Sequence, residues 1–200
     1  METIGPGRLE AFSDGVFAIA ATLLILEVGV DTSRGNLSSQ LAHIWPAYLA
    51  YVTTFLIIGI IWINHHHCVS LIGRVDRPFL FVNLLLLLTV SFMPFPTKLV
   101  AQYLQKPDER EAVIAYATTM TVMAIIYNVW WRYARTNRRL IADSVPDSAL
   151  AAVDRAFNPG VALYALTLGV AFISPLASVS ITLAIAVFYL PSAALFERKS

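Results

Sequence analysis

The sequence predicts an all-α integral membrane protein with six transmembrane helices per subunit. Three observations support this fold class: 58% of the 200 residues are hydrophobic, only 14% are charged, and the charged residues gather between long apolar runs. One small globule cannot bury so much apolar surface, so lipid is the expected solvent. A bilayer core takes about 20 apolar residues per helix. The runs of about this length cover residues 12–30, 42–64, 79–100, 112–133, 157–174 and 177–195.

Short charged segments separate the runs and mark the ends of the predicted helices. They cover residues 31–36, 74–78, 106–111 and 135–155. Pro94 and Pro96 are expected to bend or end the third helix, because proline lacks a backbone N–H. Ser174-Pro175 marks either a turn between the fifth and sixth spans or a kink within a longer one. The prediction is a single membrane domain over residues 1–200.

Basic residues in the loops predict the orientation, because cytoplasmic loops carry an excess of Lys and Arg. One side carries Arg8, Arg74, Arg77, Arg132, Arg135, Arg138, Arg139, Arg155, Arg198 and Lys199, and the other carries Arg34, Lys98, Lys106 and Arg110. This bias predicts a multi-pass plasma-membrane protein with both termini in the cytoplasm. A five-span chain would leave Arg198 and Lys199 outside, so the bias also favours six spans. The aromatic residues near predicted helix ends, where interfacial aromatics occur, are Trp45, Trp130, Trp131 and Tyr133.

Composition excludes or weakens several classes of function. The net charge of +1 and the scattered basic residues provide no basic stripe for nucleic acid. Cys68 is the only cysteine, so neither an intrachain disulfide nor a thiolate metal cluster can form. His65-His66-His67 is a poor metal site, because consecutive helical residues point about 100° apart. We therefore expect no cofactor, bound metal or nucleic-acid partner.

The first predicted helix is the segment most informative about function. Asp14 and Glu27 bracket an otherwise apolar run, and ionisable residues inside membrane spans usually face protein or water. One narrow face of this helix is apolar with a single hydroxyl, and it consists of Gly15, Ile19, Thr22, Leu23 and Leu26. From spacing alone, this face either packs on another helix of the same subunit or lines a pore as a series of apolar constrictions.

Three motifs carry a resemblance to a known family. The first is Arg8-x-x-x-Phe12-Ser13-Asp14 with the run to Leu26-Glu27. The second is Trp62-Ile63-Asn64-His65-His66, and the third is Asn83 with the leucine run and Ser91–Thr97. Together they resemble the first three helices of the transmembrane protein 175 family of potassium channels. The similarity is dense over residues 8–97, and beyond them only the pattern of spans agrees.

The resemblance implies a homotetramer, in which this chain and three further copies place four first helices around an axis in the bilayer. It implies apolar rings at Ile19, Leu23 and Leu26 as filter and gate, with Thr22 placed to offer a hydroxyl oxygen. The sequence has no Thr-Val-Gly-Tyr-Gly loop, in keeping with a family that lacks a carbonyl filter. The permeant species implied are K+ and other monovalent cations.

The polar residues of the motifs are open to three interpretations: a brace within the subunit, direct contact with ions, or packing unrelated to either. They resemble family residues that brace the first helix within one subunit. Such a brace would also give these polar groups the partners that buried polar groups need. The residues assigned to this brace are Arg8, Phe12, Ser13, Asp14, Trp62, His65, His66 and Asn83. Alternatively, Asp14 and its neighbours line a vestibule and contact ions directly. Glu27 likewise either concentrates cations at the outer pore mouth or pairs with another helix.

Two other functions compete with a channel. A small secondary transporter or proton-coupled carrier would use Asp14 and Glu27, although the chain shows no internal repeat of the kind that many transporters carry. A membrane enzyme would need a convergent cluster, and Asp14 beside His65 or His66 is the one candidate, without an evident nucleophile. We therefore predict a channel and not an enzyme.

Overall fold

The computed structural model describes residues 5–29 and 36–195, with side chains as far as residue 190. Within these ranges the chain is helical apart from short connections, so the predicted all-α class is confirmed. The helices are α1 (Gly7–Leu23, continued by a 3₁₀ turn at Leu24–Glu27), α2 (Leu37–His43), α3 (Trp45–Ser70), α4 (Arg77–Phe92), α5 (Pro94–Tyr103), α6 (Glu109–Arg135, continued by a 3₁₀ turn at Thr136–Arg138), α7 (Asp147–Ala171) and α8 (Pro175–Leu195).

Four segments of the described chain are long and apolar enough to cross a membrane. They are Gly7–Glu27, Trp45–Ser70, Arg77–Tyr103 and Glu109–Arg138. They correspond to the first four predicted spans, of which the first was expected to continue to residue 30, outside the described residues. The predicted fifth and sixth spans fall on α7 and α8, which form helices but do not meet the same criterion over their described residues. The count of six spans therefore stays a prediction.

The third span is interrupted where its prolines predicted a bend or an end. α4 ends at Phe92 and α5 begins at Pro94. In a regular helix the Val90 carbonyl would accept a bond from the N–H of residue 94, which proline lacks. That carbonyl instead accepts the backbone N–H of Met93 at 3.1 Å. The short helix α2, before the second span, was not predicted from the sequence.

The helix α7, which corresponds to the fifth predicted span, begins ten residues earlier than hydropathy predicted, at Asp147 instead of residue 157. Its charged first turns pair with basic residues at the end of α6 and in the 3₁₀ turn after it. Asp147 accepts from Arg138 at 2.6 Å, and Asp154 pairs with Arg135 at 2.6 Å. At the other end of α7 the chain turns between Ala171 and Pro175. The Ser174-Pro175 step is therefore a turn between two helices and not a kink.

The core of the bundle lies around α6, which packs against α4, α5, α7 and α8. Trp130, Trp131 and Tyr116 of α6 are among its largest fully buried side chains. This burial corrects the expectation that Trp130 and Trp131 are interfacial aromatics. By contrast, α1 lies at the edge of the bundle, where it packs on α3 and α4. One face of α1 therefore remains uncovered.

The loops 71–76 and 136–146 meet at one end of the bundle, here called the basic end. The Gly73 N–H donates to the Leu140 carbonyl at 2.9 Å, and the Ala142 N–H donates to the Leu71 carbonyl at 3.0 Å. A Cβ on Gly73 would lie 3.0 Å from the Cα of Ala142, so this close approach favours glycine. Most of the arginines expected on the cytoplasmic side lie here. Of the residues used for the orientation, Arg34, Arg198 and Lys199 lie outside the described residues.

Candidate ion pathway and its supporting network

The first helix has two contrasting faces. Its inner face is buried against the bundle through Leu9, Ser13, Phe17, Ala20 and, in the 3₁₀ turn, Leu24. The opposite face is exposed along the whole helix at helical spacing, through Arg8, Phe12, Gly15, Ile19, Thr22, Leu23 and Leu26. The spacing of the apolar residues thus produces a helix that anchors on one side and presents an apolar stripe on the other.

The three residues expected to form rings all lie on the exposed stripe. Ile19 is 62% exposed, Leu23 is 42% exposed and Leu26 is 72% exposed. The other described helices of the subunit leave these side chains largely uncovered, which counts against the first of the two interpretations left open by their spacing. Exposed apolar surface of this extent marks contact with lipid or with another protein chain.

Thr22 lies on the same stripe, but its hydroxyl hydrogen is already engaged. Its Oγ1 lies 3.0 Å from the Ala18 carbonyl and 2.9 Å from the Ile19 carbonyl, both acceptors. The hydroxyl therefore donates into its own helix and keeps its oxygen lone pairs. Those lone pairs are the part of the group that a cation would contact.

A buried polar network attaches the inner face of α1 to α3, α4 and α6. The Asn83 amide Nδ2 donates to the Ser13 hydroxyl at 3.1 Å. The Asn83 Oδ1 contacts His65 Nε2 at 3.0 Å and accepts from Trp130 Nε1 at 3.0 Å. Ser13 itself donates to the Leu9 carbonyl at 2.8 Å. One asparagine thus joins four helices.

The donors and acceptors of this network follow from its chemistry. The indole N–H of Trp130 can only donate, so the atom of Asn83 that faces it must be the oxygen. His65 Nε2 contacts the same oxygen and therefore carries the imidazole proton. Ser13 donates to a carbonyl, so its oxygen accepts from the Asn83 amide. Only His65 Nδ1 is left without a hydrogen-bond partner among the described residues of this network.

Two further bonds tie α1 to the end of α3. The Trp62 Nε1 donates to the Asp14 carboxylate at 2.9 Å. His66 Nδ1 lies 2.8 Å from the carboxylate of Glu10. Of the eight residues assigned to the brace, six therefore make polar contacts between helices. Arg8 and Phe12 differ, because both are exposed on the stripe and not turned towards the bundle.

Trp130 and Glu10 belong to these contacts, although the sequence argument did not include them. Trp130 was assigned to the membrane interface because it lies near a helix end, and distance from an end does not reveal which face a residue occupies. Its spacing from Tyr127, Met123 and Met120, all buried on one face of α6, was the available signal. Glu10 lies one turn before Asp14, on the side of α1 that meets α3.

At the other end of α1, Glu27 forms an ion pair with Lys98 of α5. The two side chains lie 3.2 Å apart, and the Glu27 side chain is only 17% exposed. Of the two interpretations of Glu27, the observed ion pair corresponds to the pairing with another helix. α1 is thus attached at both ends, by the polar network at its start and by this ion pair at its 3₁₀ turn.

The three consecutive histidines diverge, as expected for a helix. His65 bonds to Asn83 and His66 to Glu10. Asp14 bonds to Trp62 and not to a histidine. Among the described residues no three His, Cys, Asp or Glu side chains are grouped to hold a metal.

The fold defines an α-helical membrane protein, and comparison with known proteins places it among ion channels. The chain belongs to the family described as endosomal/lysosomal potassium channel TMEM175, whose family model matches residues 8–94. A potassium channel of Chamaesiphon minutus is 41% identical over 187 residues, which are 92% of each chain. A potassium channel of Streptomyces collinus is 44% identical over 172 residues, which are 84% of this chain and 83% of the relative.

Solved structures agree with the sequence relatives. The crystal structure of a lysosomal potassium-selective channel TMEM175 homolog from Chamaesiphon minutus matches with a TM-score of 0.86 and 39% identity. The match covers 94% of this chain and 97% of that one. The resemblance predicted from residues 8–97 is therefore confirmed and extends over most of the chain. The expectation that the protein is a channel and not an enzyme is confirmed as well.

Proposed function

We propose that this chain is the subunit of a potassium-permeable cation channel in which four copies surround a central axis. The observation that carries this proposal is the exposed apolar stripe of α1, on a helix that is anchored at both ends. A helix held in this way keeps its uncovered face in a fixed orientation. Four such faces would enclose a pathway lined by rings of Ile19, Leu23 and Leu26.

Apolar rings select ions through the cost of dehydration. A K+ ion sheds its hydration shell at lower cost than Na+, so a narrow ring that excludes water favours K+. Selectivity from this source is modest, because no cage of carbonyl oxygens replaces the lost water. Such rings also close when they dewet, so filter and gate coincide. Thr22 contributes oxygen lone pairs between the rings at Ile19 and Leu23.

The topology that we propose has six spans, with both termini in the cytoplasm of a plasma-membrane protein. α7 and α8 are joined by a short turn, and the Ser178 hydroxyl of α8 donates to the Thr167 carbonyl of α7 at 2.8 Å. This contact supports α7 and α8 as two antiparallel helices that cross the membrane side by side. The basic end carries the loop arginines, in the pattern of a cytoplasmic side.

A secondary transporter or proton-coupled carrier remains the alternative, and the contacts of its two carboxylates weaken it. Such a carrier would bind and release its proton or ion at Asp14 or Glu27. Asp14 accepts from Trp62, and Glu27 is paired with Lys98. Neither group is placed as an unpaired carboxylate in a cavity between helices.

The test is ion flux and single-channel current from the purified protein in liposomes. Ile19→Asn should raise the Na+ permeability relative to K+, because an amide replaces the apolar ring and water can then accompany the ion. Leu166→Asn is the matched control: Leu166 is 57% exposed on α7, which is not one of the helices that α1 packs on. It should leave the permeability ratio unchanged.

Two outcomes would contradict the proposal. Unchanged permeability and conductance in Ile19→Asn would remove the stripe from the pathway. Flux that saturates at turnover-limited rates, without resolvable single-channel openings, would favour the carrier. Native mass spectrometry of the wild-type protein tests the assembly, since the proposal requires a complex with four times the mass of the chain.

A further inference from the structure

A cavity of about 610 Å³ opens at the basic end of the bundle, beside the outer face of α6. We call it the arginine pocket, because three arginines line it. They come from separate segments: Arg74 from the loop before α4, Arg132 from α6 and Arg139 from the loop after α6. The remaining lining includes Val129, Tyr133 and Asn137.

The charges in this pocket are only partly compensated. Arg139 Nε donates to Asp76 at 3.1 Å, and its guanidinium lies 4.8 Å from the centre of the Tyr133 ring. Among the described residues, Arg74 donates only through Nε, to the Arg139 carbonyl at 2.9 Å. The Arg132 side chain is exposed and makes no hydrogen bond or ion pair within residues 5–29 and 36–190. Two positive charges therefore remain available to an anion.

The loops that carry these arginines are held in place before any ligand binds. Ile72 and Ile141 form an isolated antiparallel bridge between the two loops. Arg138 fixes the second loop by donating to the Val145 carbonyl and to Asp147, each at 2.6 Å. A site that is already ordered loses little conformational entropy on binding.

An apolar track on α6 leads directly to the pocket. Val122, Ile125 and Val129 are exposed and follow one another at helical spacing, and Arg132 lies three residues further on the same face. From Val122 to Arg132 the helix rises about 15 Å. The protein thus offers a cationic pocket at the end of a helix and an apolar strip below it, within one continuous surface.

We propose that the arginine pocket binds the headgroup phosphate of an anionic phospholipid, whose acyl chain lies along the track of Val122, Ile125 and Val129. Guanidinium groups bind phosphate through paired, charge-assisted hydrogen bonds. Basic pockets at the ends of membrane helices are suited to anionic headgroups. The apolar track distinguishes a lipid from a free anion. This site is separate from the proposed ion pathway, and its occupancy does not depend on conduction.

The test is lipid binding measured by native mass spectrometry of the detergent-solubilised protein, titrated with phosphatidylglycerol or phosphatidylcholine. Wild-type protein should retain phosphatidylglycerol in preference to phosphatidylcholine. The double variant Arg74→Gln/Arg132→Gln should bind phosphatidylglycerol at least tenfold more weakly, since each arginine near the membrane surface contributes to the attraction. Arg132→Gln alone, which breaks no contact within the described structure, should show an intermediate loss with the fold unchanged.

The matched control is Lys106→Gln/Arg110→Gln, which removes two positive charges just before and within the first turn of α6, away from the basic end. It should leave phosphatidylglycerol binding at the wild-type level. Equal losses in both double variants would overturn the proposal in favour of non-specific charge attraction. Inorganic phosphate that displaces phosphatidylglycerol at equal concentration would overturn the lipid assignment. Unchanged binding in Arg74→Gln/Arg132→Gln would remove the pocket as the site.

Discussion

The side-chain amide of Asn83 donates a hydrogen bond to the Ser13 hydroxyl at 3.1 Å, at a point where both residues are buried. This bond joins α4 to the helix that carries the exposed apolar stripe. The Asn83 Oδ1 also accepts hydrogen bonds from His65 and Trp130. The position of α1 therefore depends on groups in two further helices. A polar network in an apolar interior holds its members firmly, because an unpaired polar group there is costly.

The first prediction concerns this asparagine. Asn83→Ala removes the acceptor of His65 and Trp130 and leaves two buried N–H groups without a partner. Each such group costs about 1–3 kcal/mol, so the variant should lose several kcal/mol of unfolding free energy and show a clearly lower Tm. Thermal unfolding in detergent, followed by tryptophan fluorescence, measures this. Asn128→Ala is the control: its amide makes only a 3.4 Å bond to the Phe157 carbonyl, and its loss should be much smaller.

The second prediction concerns the bond between Trp62 and Asp14. Asp14→Ala removes the acceptor of the indole N–H, whereas Asp14→Asn keeps an oxygen there. Because Trp62 is partly exposed, water can replace the lost partner, so the cost of Asp14→Ala should be about 1 kcal/mol, at the lower end of the usual range. Equilibrium unfolding should place Asp14→Asn between Asp14→Ala and wild type. Equal losses in both variants would show that the negative charge of Asp14, and not this bond, stabilises the helix.

The third prediction is an acid sensitivity at the basic end. Burial opposes ionisation of Asp76, but bonds from the Phe79 N–H, the Tyr133 hydroxyl and the Arg139 guanidinium together lower the pKa of its carboxyl. A carboxyl with a lowered folded-state pKa stabilises the fold above its unfolded pKa, which is about 4 for aspartate. That contribution is lost as the pH falls through the folded-state pKa.

The free energy of unfolding, measured from pH 6 down to the pH at which the protein unfolds, tests this loss of stability. Asp76→Asn should be less stable than wild type at pH 6, and its stability should decline less as the pH falls below about 4. Asp147→Asn is the control, because the Asp147 side chain is 89% exposed in its pair with Arg138. If Asp147→Asn reduced the loss of stability at low pH as much as Asp76→Asn does, the effect would not come from the contacts of Asp76.

The apolar runs predicted the helices well, because hydropathy measures the property that makes a helix suit lipid. The start of α7 was missed for the same reason. Asp147 and Asp154 interrupt the apolar pattern, and in the fold these two charges pair with Arg138 and Arg135. Hydropathy along one segment carries no information about partners that lie in another segment.

The candidate site shows the same limit in a different form. Helical spacing grouped Ile19, Leu23 and Leu26 correctly on one face, because that relationship is local to α1. Whether the face was covered depended on where α3 and α4 pack, which spacing does not contain. The prediction for Trp130 was wrong for the same reason. Only the three-dimensional structure brings its indole to Asn83, which lies 47 residues earlier in the chain.

The fourth prediction concerns the ion pair of Glu27 and Lys98. Glu27→Gln, Lys98→Gln and the double variant form a thermodynamic cycle, and the coupling energy should be about 0.5–1 kcal/mol, as for partly exposed pairs. If Glu27 also lies at the mouth of the ion pathway, Lys98→Gln leaves its carboxylate uncompensated. The local concentration of cations then rises, and cation current at low ionic strength should increase.

Salt separates the two roles of this pair. At 1 M salt the screening length falls to about 3 Å, so the gain in current of Lys98→Gln should disappear while the coupling in stability is only weakened. Arg110→Gln is the control for the loss of one positive charge elsewhere, and it should leave the current unchanged. If Lys98→Gln conducts like wild type at low salt although the cycle shows coupling, Glu27 serves only to hold the 3₁₀ turn of α1 against α5. The ring at Leu26, one residue before Glu27, would then act on the ion without help from a fixed charge.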